Sequence, residues 1–473
     1  MVVRDRGMQL RNPKEDDRMT VETVNRVLSG AVADGVTNDG PVIQKAIDEC
    51  SSQGGGTVTL AGGTYLSGTL RMKSNVTLNI DASATLLASP NIGDYAADVH
   101  HNRYRNETAL DRCFIFAEDA ENFTLTGRGV IDGNAEAFPN DGSIYRPMMI
   151  RTLRCSNVHV ERLRLYNAAA WTTAFLDSSY IWIHGVDIRN DKRYNGDGLD
   201  FDGSSHIFVS DCHVRGTDDN FCLQASSKDY PVEDVHVTNC AFTGVCAGVR
   251  IGLKSIGDIR NVAIANCTFH SVWREGIKIE CTEGGTISDI NIANITMRNV
   301  TRPIFVVLNN RFELDDYGSS VELDHMPAIG RLERIGISQL IAVDDEEEMS
   351  RTHMRFTDDV MGSPRFNGIR FDAAEGHPIE DVTLSDIRYV AVGGVKLADI
   401  PPMDQYPPVL DRLVHPNGVS SENYYPDWSR ATFMDLRNVH GLTLRGVHFT
   451  ALRDDEREPV IIEGCTKARE VAF

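Results

Sequence analysis

The feature that most limits what this chain can become is a repeat of short alternating strands. "NFTLTGRGVI", "NVHVERLRLY", "YIWIHGVDIR", "HIFVSDCHVR", "DVHVTNCAFT", "NVAIANCTFH" and "DINIANITMR" share one pattern, beginning at Asn122, Asn157, Tyr180, His206, Asp234, Asn261 and Asp289. From Asn157 onward these starts follow one another at roughly 23 to 28 residues, the period of a solenoid. Each unit is too short to bury its own apolar face, so the coils must stack to bury it. "RIGISQLIAV", "DVTLSDIRYV" and "GLTLRGVHFT" continue the pattern after longer insertions.

Aligning the units gives an independent check. Cys212, Cys240 and Cys267 occupy one repeat position, and Asn239, Asn266 and Asn294 another. In a parallel β-helix, equivalent residues of successive coils lie about 4.8 Å apart. The thiols are therefore expected to stack inside, and the amides to form a hydrogen-bonded ladder at a turn. A metal or redox role for the cysteines needs converging ligands or a depressed thiol pKa, and nothing around them supplies either.

"TNDGPVIQKAIDECSSQGGGTVTL" reads as one short helix and the strand after it. Pro41 suits the first helical turn, and Val42, Ile43, Ala46, Ile47 and Cys50 form an apolar stripe ending before Gly54. Such a helix caps the open end of a solenoid and protects its sheet edge. No Ser/Pro/Gly-rich linker divides the chain. Residues 1–28 read as an N-terminal extension and 29–473 as a single all-β domain, a parallel β-helix.

Composition removes some function classes. The net charge of −21, from 68 acidic and 47 basic residues, disfavours nucleic acid and anionic membrane surfaces as partners. No stretch approaches the roughly 18 apolar residues of a membrane span. "MVVRDRGMQLRNPKEDDRMTVETVNRV" lacks the apolar core of a secretory signal, so the chain as it stands reads as cytoplasmic. Ten cysteines without a CxxC spacing read as free thiols.

Chemistry concentrates in "NGDGLDFDG" and "GTDDNFCLQAS". Asp197 precedes the pair Asp218 and Asp219 by about one repeat, which places them on neighbouring coils. Acidic residues at turns are usually solvated and do nothing specific. Clustered carboxylates, however, cannot all ionise cheaply; one pKa rises, as a general acid requires, and hydrolysis of an acetal needs that acid together with a base or nucleophile. Adjacent strand residues point to opposite faces, so Asp218 and Asp219 share one side only if the chain bends at the turn-rich "RGTDDN". The same three acids also suit a divalent cation, which prefers oxygen ligands.

The sequence resembles the polygalacturonase family, glycoside hydrolase family 28. "GAVADGVTNDGPVIQKAIDECSSQGGGTVTLAGGTYLSGTL", "GRGVIDG", "NGDGLDFDG", "GTDDNFCLQAS", "TRPIFVVLNN" and "SENYYPDW" are similar to the family's segments and follow in its order. The resemblance implies a right-handed parallel β-helix and an inverting hydrolase without metal or organic cofactor, acting on an oligosaccharide. It implies Asn195 and Asp197 as the Asn-x-Asp motif, Asp218 as the general acid, and Asp197 and Asp219 as the groups that activate water.

Two family signatures are altered. Cys246, Ala247 and Gly248 stand where Gly-His-Gly belongs, so the family's histidine is missing, and Lys278 and Glu280 stand for the outer residues of Arg-Ile-Lys. A carboxylate reader wants cations, so Glu280 argues against the usual binding of a uronate. Arg250 and Lys278 are candidates for sugar hydroxyls or a relocated carboxylate, Gln224 for a polar lining residue, and Trp273 for stacking on a sugar or packing on the next coil. Lys254 and Arg274 read either as surface charges or as site residues, and His206 and His213 as surface histidines. With no export signal, short imported oligosaccharides and exo action are expected, with the insertions after residue 308 closing one end of the groove. A cation-dependent lyase, a glycosyltransferring or epimerising enzyme and a non-catalytic carbohydrate-binding β-helix remain as alternatives.

Overall fold

The computed structural model describes residues 24–97, 99, 111–139, 146–310, 328–345, 368–399 and 429–468. Most of the expected N-terminal extension, "SENYYPDW" and most of the insertions after residue 308 lie outside them. Residues Val24–Val27, at the end of that extension, form a strand paired with Gly56–Leu60.

The earlier coils contribute three short strands each and the later ones long continuous strands such as Ile259–Cys281 and Thr286–Leu308, paired in parallel from coil to coil. The chain winds into a right-handed parallel β-helix, the hand that parallel strand crossovers take. Along one face, Val209, Val237, Ile264, Ile292, Ile337 and Leu384 stack in register as an interior column of aliphatic side chains.

The residues that begin the repeats prove to be the coil corners. Asn122, Asn157, Tyr180, His206, Asp234, Asn261 and Asp289 all have φ between 53° and 59°. Asn and Asp tolerate this left-handed conformation best, which is why they recur there. Tyr180 and His206, the exceptions, stack on each other with ring centroids 4.3 Å apart.

The cysteine column forms as expected: Cys212, Cys240 and Cys267 are buried, each thiol donating to the carbonyl two residues before it, and the neighbouring Cys212 sulfur, with burial, pushes the Cys240 thiol up to about 12. The asparagine ladder forms only in part. Asn294 Nδ2 donates to Asn266 Oδ1 at 3.1 Å, but Asn266 donates to Thr238 Oγ1 and Asn239 turns to the Asp211 carboxylate. A longer amide ladder runs elsewhere, Asn157 to Asn122 and Asn122 to Asn75.

The helix Gly40–Ser52 carries Pro41 in its first turn and buries Ile43, Ile47 and Cys50. Gln44 exchanges two hydrogen bonds with the backbone of Arg71, so the helix covers the edge strand Leu70–Arg71.

Candidate functional site

The site lies on the face built by Thr173–Leu176, Leu199–Asp202, Phe221–Ala225, Val249–Ser255 and the later halves of Ile259–Cys281 and Thr286–Leu308. Leu199, Phe201, Phe221, Leu223, Val249, Ile251, Ile277 and Ile279 point inward to the core. The alternate residues therefore point outward. They form two columns: Asp200, Cys222, Arg250, Lys278 and Phe305, and beside it Asp202 paired with Gln224 and, farther on, Glu280 paired with Val307.

A third column precedes these strands. The register sets Asp197, Asp219, Ala247 and Glu275 on successive coils, with Glu275 paired to Arg302. Backbone bonds tie the stack together: Gly198 N donates to Asp219 O at 2.8 Å, and Asn220 N to Ala247 O at 2.9 Å. Gly198 is required here, because a Cβ would strike the Asn220 carbonyl and Val214.

The chain bends at Thr217 and Asp218 before the strand begins. That bend answers the alternation problem: carboxylate oxygens of Asp218 and Asp219 and the Cys246 sulfur lie within 4.8 Å of one another. Asp219 is 1% exposed and Asp197 is buried, whereas Asp218 is partly exposed. Asp218 accepts from the Asp219 backbone N–H at 3.0 Å and from Asn195 Nδ2 at 3.5 Å.

Ala247, in the place of the missing histidine, donates its backbone N–H to Asp219 Oδ1 at 3.1 Å. Arg250 Nη1 donates to Asp219 Oδ2 at 2.7 Å and its Nε to Glu280 Oε2 at 3.1 Å. Lys278 lies 3.4 Å from Glu280 and 3.8 Å from Glu275, and Arg302 and Arg274 also pair with Glu275. One chain of alternating charge thus runs from Asp219 to Arg302 along the floor. Burial raises the Glu275 carboxyl, but Arg274, Lys278 and Arg302 outweigh it and hold the group at about 2.

Asp200, absent from the expected set, lies three residues beyond Asp197. Both its oxygens are buried without a hydrogen bond. Burial first, and then the charges of Asp219 and Asp218, push its carboxyl well above the usual range. Lys254, thrown outward where the register shifts beyond Leu223, sits 5.4 Å over the Trp171 ring.

Of the expected residues, Asn195, Asp197, Asp218, Asp219 and Arg250 come together. Lys278 and Glu280 join them through Arg250 but are themselves 0% exposed. Gln224 lines the outward column and donates to Cys222 Sγ at 3.2 Å. Trp273 is buried and shares no hydrogen bond, ion pair or ring contact with the aspartates among the described residues. Lys254 is buried beside Trp171, and Arg274 is half-buried with its guanidinium on Glu275. His206 and His213 lie on other faces, His213 against Asp187.

Asp218, Asp219 and Cys246 form the one grouping among the described residues with three possible metal ligands. Burial pushes the Cys246 thiol well above its ordinary range.

The profile of the glycosyl hydrolases family 28 matches residues 50–312. A probable polygalacturonase of Vitis vinifera is 24% identical over 378 residues, spanning 75% of this chain and 72% of the relative. An exo-poly-alpha-D-galacturonosidase of Dickeya chrysanthemi is 25% identical over 346 residues, 60% of this chain and 57% of its own. The crystal structure of a hyperthermoactive exopolygalacturonase from Thermotoga maritima superposes with a TM-score of 0.62 at 20% identity, covering 78% of this chain and 88% of that one.

Proposed function

Because the chain belongs to the glycosyl hydrolases family 28, we propose that it removes a terminal sugar from a short pectin-related oligosaccharide, with inversion at the anomeric carbon. In this reading Asp218 protonates the departing glycosidic oxygen, and Asp197 and Asp219 hold and deprotonate the attacking water. The carrying observation is the bend that turns Asp218 and Asp219 to one side, where Asp197 of the preceding coil stacks on Asp219. Asp218 alone of the three keeps appreciable exposed surface, as a proton donor to an incoming substrate must.

Burial of the outward residues supports exo action on short chains. On the N-terminal side, Phe116, Met148, Trp171 and Ala174 are covered in an apolar cluster with Val99 and Ile256. On the C-terminal side, Phe305 and Val307 are buried as well. Among the described residues, a floor buried at both ends favours a chain end over a continuous polymer. The floor cations Arg250, Lys278 and Arg302 are already paired with Asp219, Glu280 and Glu275, which favours a neutral sugar over a uronate beside them.

The test is a product analysis with pectin-derived and neutral oligosaccharides, comparing the unaltered chain with Asp218→Asn, with and without chelator. We expect chelator-resistant release of a saturated monosaccharide, slowed at least about a hundredfold by the substitution. Unchanged turnover in Asp218→Asn removes the assignment of the acid. Ultraviolet-absorbing, chelator-sensitive products make the protein a lyase instead.

A further inference from the structure

Arg146 is among the largest fully buried side chains of the molecule, at 1% exposure, and no motif drew attention to it. It precedes the strand Met148–Leu153 and reaches the loop that carries Asn195 and Asp197. Its Nη1 donates to the Tyr194 carbonyl at 2.7 Å and to the Ala169 carbonyl at 3.2 Å, and its Nη2 to Asn195 Oδ1 at 3.0 Å. Its guanidinium carbon lies 4.1 Å from the centre of the Tyr194 ring.

The chemistry of the guanidinium gives this contact a direction. Arginine has five N–H donors and no acceptor, so only the oxygen end of the Asn195 amide can face it. The nitrogen end is then committed to the other side, where it meets Asp218 Oδ2 at 3.5 Å. Asn195 itself sits at φ 52°, a conformation that the bonds to Tyr194 and Asn195 hold in place.

We infer that Arg146 is a positioning residue for the reaction: it fixes the Asn195 amide so that Nδ2, and not Oδ1, is presented to Asp218. An acceptor in that position would bind the Asp218 proton and keep it from the leaving oxygen. A donor instead steadies the carboxylate that remains after the proton has been given up. The 3.5 Å separation is long for a ground-state bond, and bonds of this kind shorten when substrate closes a site. The inference rests on the assignment of Asp218 as the acid.

The test uses the full chain with Arg146→Met, Arg146→Lys, Asn195→Ala and the double variant Arg146→Met/Asn195→Ala. Turnover is read as monosaccharide released from a partial acid hydrolysate of pectin. Arg146→Met is expected to lower the apparent kcat by about 10- to 100-fold, the cost of misplacing a catalytic group, with apparent KM within about twofold. Arg146→Lys should recover part of the loss. The double variant should be no slower than Asn195→Ala alone. Additive losses, or a loss carried by KM, overturn the inference and leave Arg146 a loop brace. A crystal structure of Arg146→Met gives a reading that needs no turnover: Asn195 Nδ2 should leave Asp218, and its persistence there overturns the inference as well. If Asp218→Asn stays active, the assignment of the acid fails. If Asp218→Asn is inactive and Arg146→Met is unimpaired, the positioning role alone fails.

Discussion

The interior columns and the floor columns use the same coil stacking for opposite ends. Inside, Val237, Ile264 and Ile292 repeat one kind of side chain from coil to coil, and each copy packs on its like. On the floor, Asp219, Arg250, Glu280, Lys278, Glu275 and Arg302 alternate in sign, and each is held by its opposite. A solenoid that stacks Arg250 on Lys278 one coil apart can bury these like charges only because carboxylates of the neighbouring columns, Asp219, Glu280 and Glu275, pair with them. The floor is therefore cooperative where the interior is additive.

Removing one member of each column should separate the two. Arg250→Met leaves Asp219 and Glu280 buried without their common partner, and should lower stability by about 3–5 kcal/mol in denaturant unfolding while abolishing turnover. A loss below about 1 kcal/mol would show the floor to be solvated in solution. Ile264→Ala opens a cavity at a cost of about 2–5 kcal/mol, yet turnover per folded molecule should match that of the unaltered chain. A slowed rate there would mean that the interior transmits strain to the site.

A third region sharpens the contrast. Asp344 is buried, accepting from Tyr389 Oη at 3.2 Å and from the Val300 backbone, and burial outweighs both bonds and pushes its carboxyl up to about 8, whereas Glu275 among three cations is held at about 2. The two act on stability in opposite senses. For Asp344 the folded chain keeps a proton that the unfolded chain loses above the ordinary 3.8, so stability declines as pH rises from there through about 8. Glu275 contributes above its ordinary 4.5, and that contribution is lost as pH falls toward about 2. Melting temperatures measured between pH 5 and 8 should fall in the unaltered chain and fall less steeply in Asp344→Asn. Equal slopes would mean that Asp344 is ionised in the folded protein.

Much of this was legible in the sequence because it depends on one residue at a time. A left-handed corner selects Asn or Asp, so the starts of the repeats could be read directly, and the cysteine column followed from their alignment. Asp197, Asp218 and Asp219 were legible through their spacing and the family's motif, and so was the missing histidine. What occupies its surroundings was not. Asp200, Arg146, Glu275 and Arg302 gain their meaning from neighbours on other coils, and Trp171 meets Lys254 only where a register shift throws the lysine outward. The asparagine ladder failed at Asn239 because Asp211, a carboxylate at a corner of the adjacent coil, competes as an acceptor. Lys254 and Arg274 were ambiguous for a related reason: composition does not tell a buried cation from a solvated one.

The ion pairs of the floor join residues separated by at most 31 positions along the chain. Closing loops of that length costs little more than closing loops of half the length, because the entropy grows only logarithmically. A chain emerging from the ribosome can therefore complete this constellation as soon as the coil bearing Arg302 is laid down, before the coils that follow are synthesised.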